Sequence, residues 1–148
     1  MINPEDFLSE NIQGANATSL TPIPAGEFTA VVTNISLRDF TYKKGDKAGM
    51  EGYALDVEWL IQDEEVSSDL GRDPKIRQSM ILDFDGDKLD MSEGHNIGLG
   101  RLREALSQNK PGDPWNFNML NGQVAVILCK QRMDGDDIYT DVNKVRAA

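Results

Sequence analysis

Residues Asn96–Gln108, NIGLGRLREALSQ, carry the one clear amphipathic helix pattern in the chain. Leu99, Leu102 and Leu106 fall at i, i+3 and i+7, with Ala105 beside them, so an apolar stripe runs down one side. Arg101, Arg103, Glu104, Ser107 and Gln108 take the opposite side. Asn96 is placed to cap the start, and Lys110-Pro111-Gly112 supplies a C-terminal charge and a stop. The pattern predicts a helix with one face against a core, set between three strand-like segments and two more.

The segments before the helix read as strands. Pro22 and Pro24 precede Gly26, and FTAVVTNISLRDF follows, rich in β-branched residues from Thr29 to Ile35. Both alternating sets of this first strand carry apolar residues, which predicts either cover on both faces or a bulge that switches phase midway. The second strand has the cleanest alternation: Tyr53, Leu55, Val57, Trp59 and Ile61 against Ala54, Asp56, Glu58, Leu60 and Gln62. Trp59 keeps phase with Leu55 and Val57 and is expected in the core. Asp63-Glu64-Glu65 opens a polar connection to Pro74 that reads as a solvated loop. In the third strand, KIRQSMILDF, one face takes Ile76, Gln78, Met80, Leu82 and Phe84.

After the helix, Trp115 and Phe117 are expected to clamp its end to the sheet. Asn121-Gly122 signals a turn before a fourth strand, Gln123 to Lys130. Gln131 to Asp137 reads as the last loop, and IYTDVNKV as the fifth strand. Residues 1–20 are polar and turn-rich and read as an arm, with a helical turn near Asp6–Asn11 and Phe7, Leu8 and Ile12 as docking anchors. No internal repeat or second core is visible, so residues 21–148 form one domain. The order strand, strand, strand, helix, strand, strand is that of an OB-fold. The expected class is therefore mainly β with one principal helix, closed as a five-stranded Greek-key barrel.

Composition narrows the function. Fifteen Lys and Arg against 25 Asp and Glu give a net charge of −10 in 148 residues. Such a field argues against a general polyanion binder but leaves room for a local basic groove. No apolar run approaches a membrane span, and the first residues lack the basic and apolar regions of a targeting signal, so a cytoplasmic protein is expected. Cys129, the only cysteine, lies inside the apolar run VAVILC and reads as a buried thiol. His95 is the only histidine and has neither a second metal ligand nor a nucleophile beside it. Asp83, Asp85 and Asp87 have the opening spacing of a calcium loop. Lys88, however, stands where the sharp-turn glycine belongs, and Gly94 where the bidentate glutamate belongs. Gly98-x-Gly100 lacks the third glycine of a dinucleotide fingerprint. No catalytic residue, metal or cofactor is implied, and the chain is not read as an enzyme.

Charge placement is the surviving signal. Arg38, Lys43, Lys44 and Lys47 lie in or beside the loop between the first two strands, and Lys130 and Arg132 in the predicted loop between the last two. In an OB-fold these loops flank the face of strands two and three, where oligonucleotides bind. Lys75 and Arg77 begin strand three and would line the same groove, with Phe40, Tyr42 and Tyr139 interleaved. Lysine and arginine neutralise phosphates, and each base stacked on an exposed aromatic contributes on the order of 1–3 kcal/mol. A plainer reading makes the lysines loop solubilisers and the aromatics rim packing.

PIPAGEFTAVVTNI, YALDVEWLI, LGRLREAL and LNGQVAVILCKQ, followed by a closing strand, span roughly residues 22 to 146. Together they resemble a phage-encoded family of OB-fold, single-stranded DNA-binding-like proteins whose genes lie among replication and recombination genes. The shared motifs are soft: proline-glycine-aromatic openings and Asn-Gly turns. The resemblance implies that Lys43, Lys44, Lys47 and the face near Arg77 touch the nucleic-acid backbone and that Arg132 closes the groove. It implies single-stranded DNA as ligand, bound without strong sequence preference, and a replication or recombination protein as further partner. The setting would be the bacterial host cytoplasm, with no membrane and no cofactor; a homo-oligomer is left open. Many single-strand binders end in an acidic recruiting tail, whereas this chain ends VNKVRAA, with Lys144 and Arg146. The alternative is an acidic OB-like module that binds a recombinase, a nuclease or a host factor.

Overall fold

The computed structural model describes Met1–Ala148. In chain order it contains α1 (Pro4–Leu8), β1 (Gly26–Thr41), β2 (Glu51–Ile61), α2 (Glu64–Leu70) and β3 (Lys75–Leu82). A small hairpin, β4 (Phe84–Asp85) and β5 (Lys88–Leu89), leads to α3 (Ile97–Ala105). A 3-10 turn at Phe117–Leu120 then precedes β6 (Val124–Asp134) and β7 (Asp137–Ala147). The protein is mainly β. Five long strands form one antiparallel sheet in the order β3-β2-β1-β6-β7.

The bend in β1 makes this order work. Its register against β2 shifts between Val32 and Asn34, the position of the expected bulge. Before the shift Phe28, Ala30 and Val32 face the core; after it Ile35 does, so the inward parity changes from even to odd. Gly26–Val31 pairs with β6 and Ala30–Thr41 with β2, so one strand serves both halves of the sheet. The edge strands β3 and β7 come within 8 Å of each other, Cα to Cα, without a hydrogen-bonded ladder. In place of the expected closed barrel, the structure has an open, curled sheet.

Trp59, Val57, Val32, Ile127 and Leu120 are fully buried in the core, and the Trp59 indole donates to Gln78 Oε1 at 2.9 Å. Leu99, Leu102 and Leu106 of the helix stripe join them, with Trp115 and Phe117 packed against the same cluster. Cys129 is buried, and burial pushes its thiol up to about 11, so it packs as an unreactive apolar group.

Several local expectations are corrected. Asn96 sits at φ 54° and does not cap α3. Its Oδ1 accepts from the Asp83 backbone N–H at 2.9 Å, while its Nδ2 donates to the carbonyls of Asp83 (2.9 Å) and Asp90 (3.0 Å). It therefore ties the start of α3 to the end of β3. Arg103 is buried rather than solvated: its Nε donates to the Gln108 carbonyl and its guanidinium lies 4.1 Å from the Trp115 ring centroid. The acidic connection after β2 contains α2, capped by the Asp63 carboxylate, closed by Gly71 at φ 66° and anchored by buried Val66. Phe84 leaves the third strand to open the β4–β5 hairpin. The arm does not dock, for α1 is capped by Asn3 while Phe7, Leu8 and Ile12 stay exposed. The chain is first fastened at Thr21, whose carbonyl accepts from Arg72, and at buried Ile23, whose carbonyl accepts from Gln131 and Thr140.

Leu102 is 1% exposed and joins α3 to the sheet. Leu102→Ala is expected to lower the free energy of unfolding by about 2–5 kcal/mol, measured by urea denaturation.

Candidate nucleic-acid interface

Strand registry decides which side chains share the outer face of the sheet. Asn34, Glu58 and Arg77 form one rung; Ser36, Asp56 and Ser79 the next; Arg38, Ala54 and Ile81 a third; Phe40 lies opposite Gly52. Because side chains alternate across a strand, these residues point away from the Trp59 core.

Asp56 is the buried centre of that face, its side chain only 8% exposed. It accepts from Arg38 Nε at 3.0 Å and Nη2 at 3.3 Å and from the Ser79 hydroxyl, and Arg77 Nη1 lies 4.0 Å away. The Arg38 hydrogen bond, helped by Ser79 and the Arg77 charge, holds the Asp56 carboxyl below the usual range against the opposing effect of burial. Glu58 accepts from Thr33 Oγ1 at 2.8 Å and has Lys75 Nζ at 3.8 Å. Arg38, Lys75 and Arg77 thus share the outer face, each already facing a carboxylate.

At one end of the face β1 and β2 close as a hairpin. The Tyr42 N–H donates to the Met50 carbonyl and the Gly49 N–H to the Tyr42 carbonyl. The Phe40 and Tyr42 rings meet edge to face at 4.8 Å, and Lys47 Nζ lies 5.4 Å from the Tyr42 centroid. Gly52 makes room for both rings: a Cβ there would sit 2.7 Å from Tyr42 Cε2 and 2.9 Å from Phe40 Cζ. Lys43 and Lys44 at the tip are exposed and make no ion pair. Beside the hairpin a cavity of about 600 Å³ is lined by Tyr42, Lys47, Tyr53 and Phe84 together with Asp83, Asp90 and His95.

The second predicted loop is corrected. Lys130 and Arg132 lie on β6, in register with Asp141 and Tyr139 of β7, and the true turn is the acidic Asp134-Gly135-Asp136-Asp137. Arg132 Nε bonds Asp141 Oδ2 at 2.6 Å while its guanidinium lies 4.9 Å from the Tyr139 centroid. A cavity of about 550 Å³ at the β3–β7 seam unites Lys75, Arg77 and Tyr139 and adds Arg72. Asp136 and Asp137 line it too. Lys130 lines neither cavity. Apart from Lys130, the predicted residues therefore fall into a hairpin group and a seam group, linked by the outer face. Asp56, Ser79 and Arg72 were missed: a buried carboxylate within a clean alternation looks like any solvent-facing position.

Compared with protein-family models and with curated proteins, the chain matches none.

Asp56 gives the face a pH signature. Its folded-state pKa lies below its unfolded value of roughly 3.9, so its contribution is fully present above that value and lost as pH falls through the lower folded one. Asp56→Ala, which leaves Arg38 and Ser79 without their acceptor, is expected to cost about 1–3 kcal/mol at neutral pH. Its stability should also fall less steeply than the wild type's on acidification, as read by denaturation across a pH series.

Proposed function

We propose that the protein captures single-stranded DNA, without strong sequence preference, on the outer face of β1, β2 and β3 and the hairpin above it. The order β3-β2-β1-β6-β7, the approach of β3 to β7 and the lodging of α3 after the third long strand support an OB-type arrangement. The observation that carries the proposal is the hairpin: two unpaired lysines, Lys43 and Lys44, stand beside a paired aromatic platform of Phe40 and Tyr42. Cations without carboxylate partners can release counterions from phosphates, and the rings offer π-faces to unpaired bases. Arg38, tethered to Asp56 by two hydrogen bonds, acts as an oriented donor, and Arg77, 4.0 Å from the same carboxylate, adds an exposed charge. No cofactor and no catalytic step is assigned. The resemblance of the sequence to phage proteins encoded near replication and recombination genes supports a role in those processes, in the host cytoplasm.

A second reading, an acidic module that binds a recombinase, nuclease or host factor, is favoured by one observation. Arg38, Lys75, Arg77 and Arg132 all have carboxylates within 4.0 Å, in a chain of net charge −10.

A fluorescence-anisotropy titration with oligo-dT and a matched duplex separates the two. Single-strand binding that weakens as salt rises is expected, and Lys43→Glu with Lys44→Glu should reduce affinity by more than about tenfold. Unchanged affinity in the double variant rejects the hairpin as the grip, and a flat response to both probes points to the protein-binding role.

A further inference from the structure

Arg101 lies more than forty residues before Lys144 and Arg146 in the sequence, and none of the three belongs to the sheet face or the hairpin. The fold brings them together in a groove of about 800 Å³ between α3 and β7. Glu104 is the one carboxylate in its lining. Arg146 is held by Glu27, outside the lining, at 3.0 Å, and Glu27 also attracts Lys144. Arg101 and Lys144 are exposed and form no ion pair. In a chain of net charge −10 the groove is thus a local reversal of sign.

Two further features suit an anionic chain. Gln78 of β3 forms part of the wall; its Oε1 accepts from the Trp59 indole, which fixes the amide, and its Nε2 donates to no protein group. Gln78 also follows Arg77, which lines the seam cavity with Lys75 and Tyr139. Along β7 the seam cavity takes residues up to Thr140, and the groove begins at Asn143. Both spaces are thus bordered by β3 and β7, the seam cavity by Lys75–Arg77 and residues up to Thr140, the groove by Gln78 and residues from Asn143 on.

We propose that this groove is a second contact surface for the phosphodiester backbone of the same single strand, which enters it after leaving the sheet face. The proposal rests on the sheet-face reading. Arg101 and Lys144 neutralise phosphates, and the Gln78 amide donates to a phosphate or base oxygen at the crossing. The bound length then exceeds what the sheet face alone covers.

The wild type and the double variant Arg101→Gln/Lys144→Gln are titrated with labelled oligo-dT of about 6 and about 25 nucleotides, the first within and the second beyond the roughly 4–16 nucleotides of a single OB site. For the long probe the variant should lose about fivefold or more in affinity, with a log–log salt slope shallower by about 1.4, two contacts at roughly 0.7 each. The short probe should bind both proteins alike. Glu104→Lys, which removes the groove's one negative lining charge, should tighten the long probe alone. If the wild type binds and neither variant alters the long probe, or both probes change equally, the groove is rejected while the sheet face stands. If the wild type binds neither probe, the sheet-face reading fails and the groove with it.

Discussion

A strand that belongs to two halves of a curled sheet has to bend, and β1 bends at one inserted residue. Without the shift between Val32 and Asn34, the inward parity that buries Ala30 and Val32 against β6 would carry Ser36 and Arg38 inward beside β2. With it, Ile35 faces the core and Arg38 reaches Asp56 on the outside. The apolar interior and the charged exterior of the β1–β2–β3 half are two consequences of that single change of phase. The helix completes what the bend begins, since Leu99, Leu102 and Leu106 fill the space that the curled sheet leaves.

The outer face shows how an acidic chain can carry an ordered basic surface. Two hydrogen bonds from Arg38 and one from a hydroxyl converge on one largely buried carboxylate, so the Arg38 guanidinium is held in a defined direction. Arg77 approaches the same carboxylate only to 4.0 Å. The pairing sacrifices part of the net positive charge for geometry. The lysines of the β1–β2 hairpin do the opposite: they are unrestrained by carboxylates and keep their full charge at the tip. The two ends of the face are thus chemically distinct, one partly neutralised by carboxylates, the other exposed and cationic.

What could be read from the sequence was what repeats with a short period. The stripe of α3 and the mixed parity of β1 report burial and have their counterparts in the structure. The alternation of β2 is followed only from Val57 to Ile61, because Ala54 to Val57 is buried on both faces and Tyr53 is exposed. What could not be read depends on partners distant along the chain. Asn96 has the composition of a helix cap, but its amide is taken by Asp83 and Asp90. Arg103 has the polarity of an exposed position, but Trp115 and the Gln108 carbonyl cover it. The β6–β7 hairpin extends past the core, so from Lys130 onward β6 is exposed on both faces and reads like a loop. Lys130 and Arg132 therefore read as loop residues, although the turn itself begins only at Asp134. The groove cations were invisible as a group because Arg101 and Lys144 meet only once α3 packs beside β7.

The approach of β3 to β7 has a consequence for association as well. An open sheet normally presents two rows of unpaired backbone groups, each a template for a strand from another chain. Here curvature turns the two rows toward each other, and residues of both strands line the seam between them. An incoming strand would have to enter a gap already flanked by Arg77 on one wall and Tyr139 on the other. The sheet guards its own edges by facing them inward, and a fold that never closes by hydrogen bonds still resists growth by strand addition.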